Sequence, residues 1–109
     1  MSGGWITHAG YALRQARAAL ALAEIIGGCG DLPLLTWTVI PAGSVLHGKV
    51  TGPAPAGQVR AAVAAWRGAL GLEDYREWPG GRGTTRLHAT GRRGDVLVRI
   101  SASVSGEER

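Results

Sequence analysis

From Thr85 to Val104 the chain alternates apolar and polar residues with a period of two, on both sides of the short break GRRG at 91–94. Thr85, Leu87 and Ala89 oppose Arg86 and His88 before the break. Val96, Val98, Ile100 and Val104 oppose Leu97, Arg99, Ser101 and Ser103 after it. A period of two is the signature of a strand with one face in a core and one in water. A slip of one residue would turn every apolar side chain outward, so the register of such a hairpin is strongly specified. Arg92 and Arg93 fall in the turn. The inward row needs a second layer to cover it, and the rest of the chain must supply that layer.

Two helical segments are available. From His8 to Ile26, Leu13, Leu20 and Ile26, with Ala16 and Ala23, recur at steps of three and four. Thr7 is the natural N-cap, and Gly27–Gly28 stand where helices end. From Gln58 to Leu70, the residues Val59, Val63, Trp66 and Leu70 form one stripe. Gly71 fits the left-handed position after this helix, with Leu72 folding back on Trp66. Between the helices, LLTWTVI points Leu35, Trp37 and Val39 one way and Thr36 and Thr38 the other. VLHGKVT sets Leu46, Gly48 and Val50 against His47 and Lys49. PAGS and GPAPAG break the chain around this second strand. EDYREWPGGRG reads as irregular, with a short extended piece at 75–78. The order is α-β-β-α-β-β, two αββ units of weak mutual similarity. Small residues line one side of each helix: Ala12, Ala16, Ala19 and Ala23 on the first, Ala61, Ala65 and Gly68 on the second. Such rows let helix backbones approach closely. The predicted fold is an α+β two-layer sandwich, with two helices packed together on one face of a four-stranded antiparallel sheet.

Its 109 residues suit a single domain, 1–109, with a loose lead at 1–7 and a frayed tail at 105–109. A chain of this size buries about two-thirds of its unfolded surface, enough for a core without staples. The single cysteine, Cys29, has no disulfide partner in the chain, which points to a reducing compartment. At the N-terminus Arg14 and Arg17 follow the first apolar residues and Glu24 interrupts the apolar run, unlike a signal peptide. AALALA is far short of the about 20 apolar residues a membrane span needs. The expectation is a cytoplasmic protein with no membrane contact.

With both helices on one face, the other face carries Thr36, Thr38, His47, Lys49, Arg86, His88, Arg99 and Ser101, and no carboxylate. The net charge of +4 favours acidic partners. Eleven of the twelve basic residues are Arg, Asn and Phe are absent, and Ala and Gly abound, a profile that GC-rich coding gives without selection. Two readings of the face therefore stand: the polar side that a sheet shows to water, and a binding surface. Phosphate contacts need the cations that are present. Base stacking needs aromatics, which this register leaves off the face. Trp5, Tyr75 and Trp78 lie in irregular segments, as anchors for a protein partner or as lids over the core rim.

Chemistry finds little support. His8, His47 and His88 are scattered. His47 and His88 with Cys29 lack metal-ligand spacing. PGGRGTT lacks the Lys-Ser/Thr ending and following helix of a phosphate loop. RGD at 93–95 matches the integrin tripeptide only as a string. Glu73, Asp74 and Glu77 read as a solvated loop rather than as a catalytic pair. The expectation is a non-enzymatic binding module without cofactor or metal. It contacts nucleic-acid backbone through Lys49, Arg86, His88, Arg92, Arg93 and Arg99. The alternative is a protein-binding module, a homodimer or an inhibitor of a host protein, using the open sheet or an edge strand.

The segments LPLLTWTVI…GKVTG, AAWRGALGL and RLHATGRRGDVLVRISASV, in that order over residues 32–104, resemble short uncharacterised proteins of high-GC actinobacteria and their phages and integrated elements. The resemblance carries no catalytic signature and no residue roles. It implies an accessory protein of a mobile element, a binder or inhibitor rather than an enzyme.

Overall fold

The computed structural model describes residues 8–40, 44–50 and 54–106. Thr7 and Trp5, named above as a cap and an anchor, lie outside them. The order is α1 (His8–Gly28), β1 (Thr36–Ile40), β2 (Val45–Lys49), α2 (Ala56–Leu70), β3 (Asp74–Gly81), β4 (Thr84–Arg93) and β5 (Val96–Ser105). The strands form one sheet in the order β1-β2-β5-β4-β3. Both helices cover one face, α1 over β1, β2 and β5, and α2 over β5 and β4.

The sheet has five strands, not four, and it is mixed. β2 and β5 pair in parallel, Leu46 beside Val98 and Gly48 beside Ile100, while every other pair is antiparallel. One segment causes both differences. α2 returns the chain to the end of the sheet where β2 began, so the next strand starts in the direction of β2. With two strands after α2, the last would run against β2. With three, it runs alongside. The extra strand is β3, over the stretch read as irregular. It is an edge strand containing Pro79, with a register shift between Pro79 and Gly81, which is where a sheet tolerates proline and a bulge.

Elsewhere the period-two assignments hold. Leu46, Leu87, Ala89, Val96, Val98, Ile100 and Val104 are buried, and Leu35, Trp37 and Val39 half-buried. The β4–β5 turn is tighter than GRRG. Arg93 pairs with Val96, which leaves a two-residue loop of Gly94 and Asp95. Gly94 has φ 63°, the sign that the first loop position of a type II′ turn requires. Arg92 and Arg93 are therefore strand residues. Ser105, placed in the frayed tail, closes the β5 ladder opposite Thr84.

α2 buries Val59, Val63 and Trp66 as its stripe predicts, and starts two residues early, after Pro55. Gly71 caps it at φ 64°, and the Leu72 N–H donates to the Arg67 carbonyl at 3.0 Å, bringing the buried Leu72 into the same core cluster as Trp66. Trp66 meets Trp37 edge to face, centroids 5.7 Å apart, and its indole N–H donates to the Pro33 carbonyl at 2.7 Å. α1 is different. It runs through Gly27 and Gly28, and it buries Ala18, Ala21 and Ile25. Leu13, Leu20 and Ile26 are exposed, as are Ala12, Ala16, Ala19 and Ala23. On α2, Ala61 and Gly68 are exposed and Ala65 only half-buried. The close alanine seam between helices does not form. The helices share only β5 beneath them, and the sheet rather than the other helix buries each.

Candidate functional site

Among the described residues nothing covers the face away from the helices, and strand alternation decides what stands on it. β2 contributes His47 and Lys49, β5 contributes Leu97, Arg99 and Ser101, and β4 contributes Arg86, His88, Thr90 and Arg92. Cross-strand partners align them: His47 lies beside Arg99, Lys49 beside Ser101, His88 beside Ser101, and Arg92 beside Leu97. Five of the six residues singled out from sequence thus share this face: Lys49, Arg86, His88, Arg92 and Arg99. The sixth, Arg93, alternates to the helix side, where it lines a depression with Arg17 and Glu24 of α1. Asp95 also turns to α1, its carboxylate 3.6 Å from the Arg17 guanidinium.

β3 adds what reading it as irregular had hidden. Tyr75 and Glu77 alternate to the helix side, leaving Asp74, Arg76 and Trp78 on the open face opposite Thr90, His88 and Arg86. Two expectations are corrected. The face does carry a carboxylate, Asp74. It accepts hydrogen bonds from the Arg76 Nε at 3.3 Å and the Thr90 hydroxyl at 3.4 Å. It also carries an aromatic. Trp78 is 39% exposed and meets the His88 ring edge to face, with centroids 4.8 Å apart. Between β3 and β5 these side chains wall an open depression of about 400 Å³, lined by Asp74, Arg76, Trp78, His88, Leu97 and Arg99 among others. Alternation within DYREW was the sequence signal for this. Pro79 and the following glycines masked it.

Tyr75 is a rim residue. It is half-buried against both core clusters, Arg67 stacks over its ring at 4.7 Å, and its hydroxyl donates to Glu77 at 2.6 Å. Glu77 also receives a bidentate pair from Arg60 at 2.9 and 3.1 Å. That guanidinium, and then the tyrosine hydroxyl, hold the Glu77 carboxyl below its ordinary range.

The histidines report the electrostatics of the open face. Partial burial lowers the pKa of His47, and the charges of Arg99 and Lys49 lower it further. His88 is lowered in the same way by partial burial, then Arg99, His47 and Arg86. His47 Nε2 shares a hydrogen bond with the Ser101 hydroxyl at 2.6 Å. Burial is the larger cause in both rings and the neighbouring cations the smaller, and both disfavour the imidazolium form. Cys29 packs against the helix-side core, on the other side of the sheet from both histidines. Among the described residues no group of three or more His, Cys, Asp or Glu is placed to hold a metal ion, and no helix is long and apolar enough to cross a membrane. No family model, no curated protein and no solved structure matches this chain.

Proposed function

We propose that this protein is a non-enzymatic binding module whose open sheet face holds single-stranded nucleic acid by its phosphate backbone. The observation that carries this reading is the segregation of charge. Lys49, Arg76, Arg86, Arg92 and Arg99 stand on strand positions of one uncovered face, against one carboxylate, Asp74. GC-rich coding would leave acids and bases equally mixed on both sides. Here Arg60 and Arg17, on the helix side, are matched with Glu77 and Asp95. Arg76 is paired with Asp74; among the described residues Lys49, Arg86, Arg92 and Arg99 have no carboxylate partner, and backbone binding uses such cations, each displacing counterions from a phosphate. Trp78 favours single strands over duplex, because an exposed ring can stack on an unpaired base and cannot reach one inside a helix. The depression beside Trp78 offers a base an aromatic wall, with Arg99 and Arg76 near its phosphates.

The test is fluorescence anisotropy with labelled single-stranded and duplex oligonucleotides over a salt series. Single strands should bind more tightly. Each lost phosphate contact should lower the log–log salt slope by about 0.7 for single strands. Trp78→Ala should weaken single-strand binding by about 1–3 kcal/mol and leave duplex binding nearly unchanged. Absence of binding at low salt removes the proposal.

A protein partner is the second reading, favoured by β1. This edge strand, TWTVI, has no charged residue, proline or bulge to discourage another strand from pairing with it.

A further inference from the structure

The outer side of α1 is apolar from end to end. Ala9, Leu13, Ala16, Leu20, Ala23 and Gly27 succeed one another at steps of four and three, and all are exposed, Leu13 at 53% and Leu20 at 67%. The row is about 27 Å long at 1.5 Å per residue. Ala12, Ala19 and Ile26 widen it on one side, also exposed. A helix lying on a sheet normally turns charges outward, and one that is apolar all round is buried. α1 buries its opposite side, Ala18, Ala21 and Ile25, against the sheet. Both sides of the helix are thus built for contact, and only one is covered by the described residues. Steps of four and three give the 3.5-residue repeat of a two-helix seam, and alanine at alternate seam positions allows a close approach of the axes.

The flanking charges say what lies across the seam. Arg17 and Glu24 follow Ala16 and Ala23 by one position, so they stand on the same flank, seven residues apart. In two copies of α1 packed antiparallel about a two-fold axis beside Leu20, Arg17 of each copy faces Glu24 of the other. A parallel arrangement would set this flank against Ala12, Ala19 and Ile26 of the other copy and leave both charges without a partner across the seam. Glu24 has no ion-pair partner among the described residues. Arg17 makes one 3.6 Å contact with Asp95 while its side chain stays 54% exposed, so donors remain for a second carboxylate. Arg93 lines the same depression, a further cation at this rim.

We infer that the protein forms a two-fold homodimer through the outer side of α1, with antiparallel helices sealed by reciprocal Arg17–Glu24 pairs. The second copy then sits on the far side of α1 from the sheet, and the two open sheet faces point outward, both accessible. This interface is separate from the face proposed above to bind nucleic acid, and it stands or falls independently.

Sedimentation velocity over about 1–100 μM, the range in which modest interfaces associate, reads the result directly. The full chain should sediment as two copies. Leu20→Glu, at an exposed position, should give a monomer with an unchanged far-ultraviolet circular dichroism spectrum. Arg17→Glu alone places like charges at both symmetry-related contacts and should raise the dimer Kd by about tenfold. Glu24→Arg alone should do the same, and the doubly reversed chain should regain dimerisation. A monomer throughout this range overturns the inference. So does a dimer indifferent to Leu20→Glu, because it is built on another surface. Failure of the double reversal to restore association overturns the antiparallel pairing.

Discussion

Replacing Trp66 by alanine tests how the helix layer is attached to the sheet. Trp66 is 3% exposed, and its ring joins three segments: α2, which carries it, the Leu32–Leu35 loop through the Pro33 carbonyl, and β1 through Trp37. A tryptophan side chain hides about 200 Å². At about 25 cal/mol per Å² that is about 5 kcal/mol, an upper bound, because the unfolded chain already hides part of it. The indole hydrogen bond adds about 1 kcal/mol, and the edge-to-face pair with Trp37 about as much again. Trp66→Ala should therefore cost about 3–5 kcal/mol, a large part of the about 5–15 kcal/mol a small domain possesses. Trp66→Phe keeps most of the burial and loses the N–H donor, and should cost clearly less. Urea unfolding followed by far-ultraviolet circular dichroism is the assay, since the substitution removes a fluorophore. A double-mutant cycle with Trp37→Ala should return a coupling of about 0.5–1.5 kcal/mol. A loss below about 0.5 kcal/mol for Trp66→Ala, or no coupling to Trp37, would refute this account of the core.

Three further outcomes follow from the geometry. Arg92→Ala should weaken oligonucleotide binding and lower its salt slope, while Arg93→Ala, one residue on but facing the helices, should leave both unchanged. Equal effects in the anisotropy titration would contradict the alternation of β4. Gly48→Ala should destabilise by about 1–3 kcal/mol, because the new Cβ would lie 2.9 Å from Leu35 Cδ1 and 3.0 Å from Ile100 Cδ1 and Trp37 Cη2; thermal unfolding measures this, and an unchanged Tm would show that the site has room. His47 and His88 are lowered from an ordinary value of 6.5, so between their folded pKa values and about 6.5 the unfolded chain binds more protons. Stability should be full above about pH 6.5 and fall as the pH drops through the folded values. A bound phosphate chain reverses the local charge and favours protonation, so affinity should rise over the same interval, and His47→Gln with His88→Gln should flatten both profiles.

What was legible in the sequence depended on contrast. β4 and β5 alternate Arg, His and Ser against Val, Ile, Leu and Ala, and their faces follow directly. In α2, Arg60 and Arg67 against Val59, Val63 and Trp66 give a helical phase with one solution. α1 has no such contrast. Alanine and leucine occupy almost every direction around it, so a stripe through Leu13, Leu20 and Ile26 fits the sequence as well as the buried Ala18, Ala21 and Ile25. Only the sheet decides between them. β3 was hidden for the opposite reason: it is polar on both sides, Tyr75 is its one half-buried residue, and it contains a proline. That omission cost the candidate site Asp74, Arg76 and Trp78, and its consequences reached strands more than twenty residues away. One unrecognised strand reversed the direction of every strand after it, which is why the join between β2 and β5 is parallel. The face positions of Lys49, Arg86, His88 and Arg99 survived, because the face a residue occupies depends on local alternation and not on strand direction; Arg92, read as a turn residue, joins them as part of β4.

β5 is synthesised after the other four strands of the sheet, yet it occupies the middle, with β2 on one side and β4 on the other. A chain emerging from the ribosome can form α1, the β1–β2 hairpin and α2 early, but these have no shared partner until residues 96–105 arrive. The β2–β5 ladder then joins residues about fifty positions apart, a long-range closure of the kind that slows folding. Until that moment Leu46 and Leu87 face solvent, and the bare inner edge of β2 is a template for the wrong strand, including β2 of another nascent chain. Folding is therefore held open until β5 has emerged, and a block such as a premature stop or a ribosome stalled before Val96 should yield an aggregation-prone fragment rather than a smaller folded one.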